Sequence, residues 1–123
     1  MKIQRFEDII AWQKARELVV EIYRLTNVSE NFKKDFGLRE QIRRAAVSAM
    51  SNIAEGFGRN SDKEMSNFLN IASGSIAEVQ SQLYVALDLK YIERGSFDSV
   101  YLLADEASRL LTAFMKYLRK PTK

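Results

Sequence analysis

The chain carries one proline, Pro121, and five glycines in 123 residues. Proline removes a backbone donor and clashes with the preceding helical turn, and glycine weakens a helix interior. With so few of either, little interrupts a helix, and apolar residues recur near a 3.6-residue period in four long stretches. The sequence therefore predicts an all-α protein. Hydrophobic residues make up 46% of it, enough for one core without covalent staples, and a single domain over residues 1–123 is expected.

The first stretch runs from about Phe6 to Thr26. Ile9, Trp12, Ala15, Val19 and Ile22 form its apolar stripe, widened by Ala11, Leu18 and Leu25. A polar loop, Asn27 to Lys34, follows. The second stretch spans Phe36 to Phe57, with Asp35 as N-cap, Leu38, Ile42, Ala45, Ala46, Ala49, Ile53 and Phe57 inward, and Gly58 as a left-handed closing residue. The third opens on Ser61-Asp62-Lys63-Glu64, the pattern of a capping box, and reaches about Tyr91. Its stripe is Met65, Phe68, Leu69, Ala72, Ile76, Val79, Leu83 and Leu87, and mid-helix Gly74 implies close approach of a neighbour. The fourth starts near Ser96 and ends before Pro121, with Phe97, Tyr101, Ala104, Ala107, Leu111, Phe114 and Leu118 inward. The short second and third connections force antiparallel neighbours, and the first is compatible with one, so the expected architecture is an antiparallel up-down-up-down four-helix bundle.

Apolar residues also lie outside these stripes: Ile10, Val20 and Tyr23 in the first, Val100, Leu102, Leu103 and Met115 in the fourth. This surplus favours self-association, against the simpler reading of scattered exposed apolars.

The chain has no cysteine and no histidine. Disulfides, thiol nucleophiles and zinc–thiolate sites are excluded, together with the commonest general base and metal ligand. A di-metal bundle site of the Glu-x-x-His type cannot be built around Glu55 and Glu78. The tight turn at Gly58 to Ser61 places Glu55 level with Met65, and Glu78 level with Ile42 and Arg43. The two carboxylates then stand several turns apart and cannot flank one substrate bond. No enzyme activity and no cofactor are expected. MKIQRFEDII lacks the apolar core of a signal peptide, and no run of 18 apolar residues occurs. A cytoplasmic protein without membrane association is expected.

Charge is concentrated rather than large. Residues 33 to 44 hold Lys33, Lys34, Arg39, Arg43 and Arg44 against Asp35 and Glu40, a surplus equal to the net +3 of the whole chain. These five cations are the candidate binding residues for a phosphate-bearing or acidic partner. Phe32 and Phe36 flank the lysines, as base stacking would want. The plainer reading is a solvated charged face: Asp35–Arg39 and Glu40–Arg44 have helical i,i+4 spacing, and Arg43 or Arg44 is expected to reach Glu78. A second basic cluster is Lys116, Arg119, Lys120 and Lys123. Ser48, Asn52 and Glu55 share one helix face, as do Ser75, Glu78 and Gln82. They suit either a hydrogen-bonded seam or a small-ligand pocket.

Several segments together resemble one known family. They are Trp12-Gln13-Lys14-Ala15, Phe36-Gly37-Leu38, Gln41-Ile42-Arg43-Arg44-Ala45-Ala46-Val47-Ser48, Ser51-Asn52-Ile53-Ala54-Glu55-Gly56, then Phe68-Leu69, Ala72, Gly74-Ser75, Glu78 and Gln82-Leu83. In this order, over nearly the whole chain, they resemble the bacterial 23S rRNA intervening sequence proteins, the S23-type four-helix bundles. The chain departs from that pattern at Asn27-Val28-Ser29, where Phe-Pro is frequent, and at Met50, where proline is frequent. The resemblance implies a homopentamer. It also implies kinship with accessory proteins of diversity-generating retroelements, which act with nucleic acid and reverse transcriptase. RNA binding is thus an expectation by analogy. The alternative is an oligomeric scaffold whose partner is a protein.

Overall fold

The computed structural model describes residues 3–119. Among them lie five α-helices: α1 (Ile10–Thr26), α2 (Glu30–Lys34), α3 (Phe36–Phe57), α4 (Asp62–Asp88) and α5 (Arg94–Leu118). The four long ones form an antiparallel bundle in which α3 packs on α1 and α4, and α5 closes the ring against both. Pro121, Lys120 and Lys123 lie outside the described residues. No described helix is long and apolar enough to cross a membrane.

Each long helix buries one apolar stripe. Ala15, Leu18 and Ile22 of α1, Ile42, Ala46, Ala49 and Ile53 of α3, Leu69, Ala72, Ile76, Val79 and Leu83 of α4, and Ala104, Ala107 and Leu111 of α5 are fully excluded from solvent. Val100 and Met115 join this core, so the surplus apolar surface of α5 is smaller than expected. Ile10, Val20, Tyr23 and Leu102 do stay exposed.

Small residues bring α3 and α4 close together. A Cβ on Gly56 would sit 2.9 Å from the Phe68 Cβ and 3.2 Å from the Met65 sulfur. Ser75 donates to the Ser48 hydroxyl across the interface (3.0 Å), and Asn52 donates to the Ser48 carbonyl (2.8 Å) and hydroxyl (3.1 Å). The hydrogen-bonded seam is therefore present, built of Ser48, Asn52 and Ser75. Glu55 is outside it and pairs with Arg59 (2.9 Å).

Three local expectations are overturned. The first helix starts at Ile10, because Phe6–Asp8 form a separate 3-10 turn. Gly58 closes α3 in a right-handed conformation (φ −72°, ψ −11°), its N–H reaching the Ala54 and Glu55 carbonyls. Gly74 has no heavy atom near the position a Cβ would occupy, so it marks no close helix contact.

The stretch read as a polar loop contains α2. Ser29 caps it by accepting the Phe32 N–H (3.1 Å), and Phe32 is completely buried. Asp35 caps α3 through Leu38 (3.1 Å) as expected. At the far end of α4, Lys90 adopts φ 61°. Its N–H bonds to the Leu87 carbonyl (3.0 Å), and that of Tyr91 bonds to the Ala86 carbonyl (2.8 Å). This is a Schellman closure with lysine at the left-handed position. It delivers Tyr91 onto Phe32, with ring centroids 5.4 Å apart.

Candidate nucleic-acid interface

The five candidate cations do not form one cluster. Lys33 and Lys34 end α2, and both are exposed. Lys33 lies 3.8 Å from Glu30 in a solvent-facing ion pair. Such a pair contributes about 0–1 kcal/mol and is readily exchanged for another anion. Lys34 makes no ion pair among the described residues.

Arg39 turns back toward α2. It donates to the Lys33 carbonyl (3.0 Å) and to Glu40 (3.3 Å), and its guanidinium lies over the Phe36 ring, 4.7 Å from the centroid. The i,i+4 pairing with Asp35 does not form: Arg39 turns to Lys33 and Glu40, and Asp35 accepts from the Leu38 N–H and the Tyr91 hydroxyl.

Arg43 points toward α1. It donates to Thr26 Oγ1 (2.8 Å) and Asn27 Oδ1 (3.2 Å), and lies over the Tyr23 ring at 4.5 Å. Thr26 is fully buried, and its hydroxyl bonds back to the Ile22 and Tyr23 carbonyls. Both hydrogen-bond partners of Arg43 are neutral. Its orientation is fixed, and it forms no ion pair among the described residues.

Arg44 faces away from this group, into the α3–α4 groove lined by Gln41, Ala45, Ser48, Glu78 and Gln82. Glu78 is exposed and forms no ion pair there, and Arg44 is likewise exposed and unpaired among the described residues. The expected Glu78–arginine contact is thus absent. The Ser48–Ser75 and Gln41–Gln82 hydrogen bonds set a register in which Glu78 is level with Ala45 rather than with Ile42 and Arg43, which takes it away from Arg43. Arg44 and Glu78 line the same groove without forming an ion pair. The groove encloses about 250 Å³, below the roughly 300–1,000 Å³ of small-molecule pockets. This weighs against a ligand cavity at the seam.

Lys33, Arg39 and Arg43 therefore line one side of the bundle, joined through the Lys33 carbonyl and the i,i+4 spacing on α3, with Lys34 at its end. Phe36, 64% exposed, and Tyr23, 41% exposed, belong to the same side. Phe32 does not, because it serves the core. The pairing of Tyr23 with Arg43 was not legible in the sequence. The contact joins residues on two helices, and no spacing rule connects them.

This architecture defines a four-helix bundle protein with a polar α3–α4 seam and a basic, aromatic flank. The chain belongs to the 23S rRNA-intervening sequence protein family, whose model matches residues 7–113. It is also similar to a protein of unknown function from the S23 ribosomal protein family of Bacteroides thetaiotaomicron VPI-5482, solved at 1.70 Å. The TM-score is 0.80 at 29% identity, covering 86% of this chain and 98% of that one. No curated protein matches the chain.

Proposed function

We propose that this protein is a non-enzymatic homo-oligomeric bundle that binds RNA through Lys33, Lys34, Arg39 and Arg43. The observation that carries the reading is Arg43, a guanidinium oriented by two neutral hydrogen bonds and without an acidic partner among the described residues. A phosphate is the natural complement of such a group. Self-association is supported by Ile10, Val20 and Leu102 on the outer faces of α1 and α5. By family analogy the assembly is a pentamer. Five copies would repeat the basic flank around an axis, and weak contacts then combine through effective concentration.

The test is binding at several salt concentrations together with light scattering. Mass should be about five times that of the 14.2 kDa chain. Affinity for RNA should fall by about 0.7 log unit per log unit of salt for each single-strand phosphate contacted. A variant carrying Lys33→Gln, Lys34→Gln and Arg39→Gln should stay assembled and lose affinity alike for all sequences, because phosphate contacts position without specifying. A monomer at micromolar concentration removes the assembly claim. Undiminished RNA binding by the assembled triple variant removes the assignment of these residues.

The second reading is a protein-binding scaffold. The Lys33–Glu30 and Arg39–Glu40 ion pairs favour it, since both cations already have acids nearby. It takes the lead if the assembled parent binds no RNA at low salt.

A further inference from the structure

We propose that the α1–α3 flank is selective for single-stranded RNA, with unpaired bases stacking at Phe36 and Tyr23 while Lys33, Arg39 and Arg43 hold the backbone. This rests on the RNA-binding reading above and narrows its substrate.

Two observations carry it. First, the exposed aromatics of this flank are coupled to its cations. Arg39 lies over Phe36 and Arg43 over Tyr23, at 4.7 and 4.5 Å. Each guanidinium is tied down from behind: Arg39 by the Lys33 carbonyl, Arg43 by Thr26 and Asn27. Phe36 nonetheless keeps most of its surface in solvent, whereas Phe32, four residues earlier, is fully buried. Aromatic rings beside fixed arginines are the two components of a stacking platform, because guanidinium planes and ring faces both accept a base.

Second, both rings lie open at the surface beside their cations, Phe36 64% and Tyr23 41% exposed. In a duplex each base face is covered by its stacked neighbours, so an exposed protein ring can accept only a base that is unpaired and splayed out. A duplex offers this flank only phosphates and leaves both rings idle.

The experiment measures fluorescence anisotropy of labelled single-stranded RNA and of a duplex of equal length, at one salt concentration, on the assembled protein. Parent protein is compared with Phe36→Leu and Tyr23→Leu, which keep an apolar side chain and every charge. Inorganic polyphosphate, which has charge but no bases, is the control. The single strand should bind at least about tenfold more tightly than the duplex. Each variant should lose about tenfold or more for the single strand, the scale of one stacked base, and should keep its affinity for polyphosphate. Equal affinity for duplex and single strand overturns the proposal and leaves RNA binding standing, as does a Phe36→Leu variant that binds like the parent. A change in oligomeric mass on Tyr23→Leu identifies that ring as a subunit contact and also overturns it. Failure of the parent to bind any RNA removes this proposal and the broader reading together.

Discussion

Tyr91 donates its phenolic proton to Asp35 Oδ2 across 56 residues of sequence (2.9 Å), while Asp35 Oδ1 accepts the Leu38 N–H. One carboxylate therefore starts α3 and holds the end of α4 against it. The hydrogen bond to Asp35, then burial, then the charge of Asp35 raise the Tyr91 phenol above its ordinary value. In the unfolded chain this phenol ionises near pH 10. As pH rises through that value, the unfolded state loses a proton that the folded state keeps, and the stabilisation falls away. It is fully present below pH 10. Tyr91→Phe should lower the thermal midpoint at neutral pH, and the gap between variant and parent should narrow above pH 10. A gap that stays constant across the alkaline range contradicts this coupling.

Gly56 and Gly74 should respond to alanine in opposite directions. A methyl at Gly56 meets Phe68 at 2.9 Å, and such overpacking costs about 1–3 kcal/mol. A methyl at Gly74 meets nothing within 4 Å, so Gly74→Ala should stabilise by about 1 kcal/mol through helix propensity. Urea unfolding of the two variants checks both signs.

Lys90 holds a left-handed conformation that costs a residue with a Cβ about 1–2 kcal/mol. Lys90→Gly should therefore raise stability by about 1 kcal/mol, reduced by the greater freedom of glycine in the unfolded chain. A destabilised variant would mean that the lysine side chain has a role beyond the closure of α4.

Arg43 and Arg44 are adjacent in sequence but unequal in structure. Arg43→Lys keeps the charge and loses the fork that reaches Thr26 and Asn27, and hydrogen bonds from charged donors contribute about 1.5–3 kcal/mol. Arg44→Lys should change stability by less than about 0.5 kcal/mol, as is usual for surface sites. Equal effects at the two positions would contradict the geometry.

The long helices were legible because burial imposes a 3.6-residue period, and Ile42, Ala46, Ala49 and Ile53 repeat it without interruption. The core positions Val100 and Met115 were misassigned because the buried face of α5 is wider than one strict stripe. Helix α2 was hidden by its composition, since Glu30-Asn31-Phe32-Lys33-Lys34 has one apolar residue and no period to read. Its signal was Ser29 three residues before Phe32, the spacing of an N-cap. The Glu78 expectation failed on register. The path of the chain through Gly58 to Ser61 fixes how α3 and α4 align, and a shift of two to three residues moved Glu78 from the level of Arg43 to that of Ala45, where it shares a groove with Arg44 but forms no ion pair. In the candidate interface, the cluster of cations was visible in sequence. The division between Arg43 and Arg44 was not, because it depends on which neighbouring helix each one faces.

Phe32 gives the basic segment a property that its composition does not suggest. A connector rich in lysine and asparagine would ordinarily be ordered only by its partner, at a cost of roughly 1–2 kcal/mol per residue of backbone freedom. Here a ring sunk in the core, capped by Ser29 and covered by Tyr91, has already ordered it. Lys33 and Lys34 are thus preorganised, and an anion that meets them need not fold the segment on which they stand.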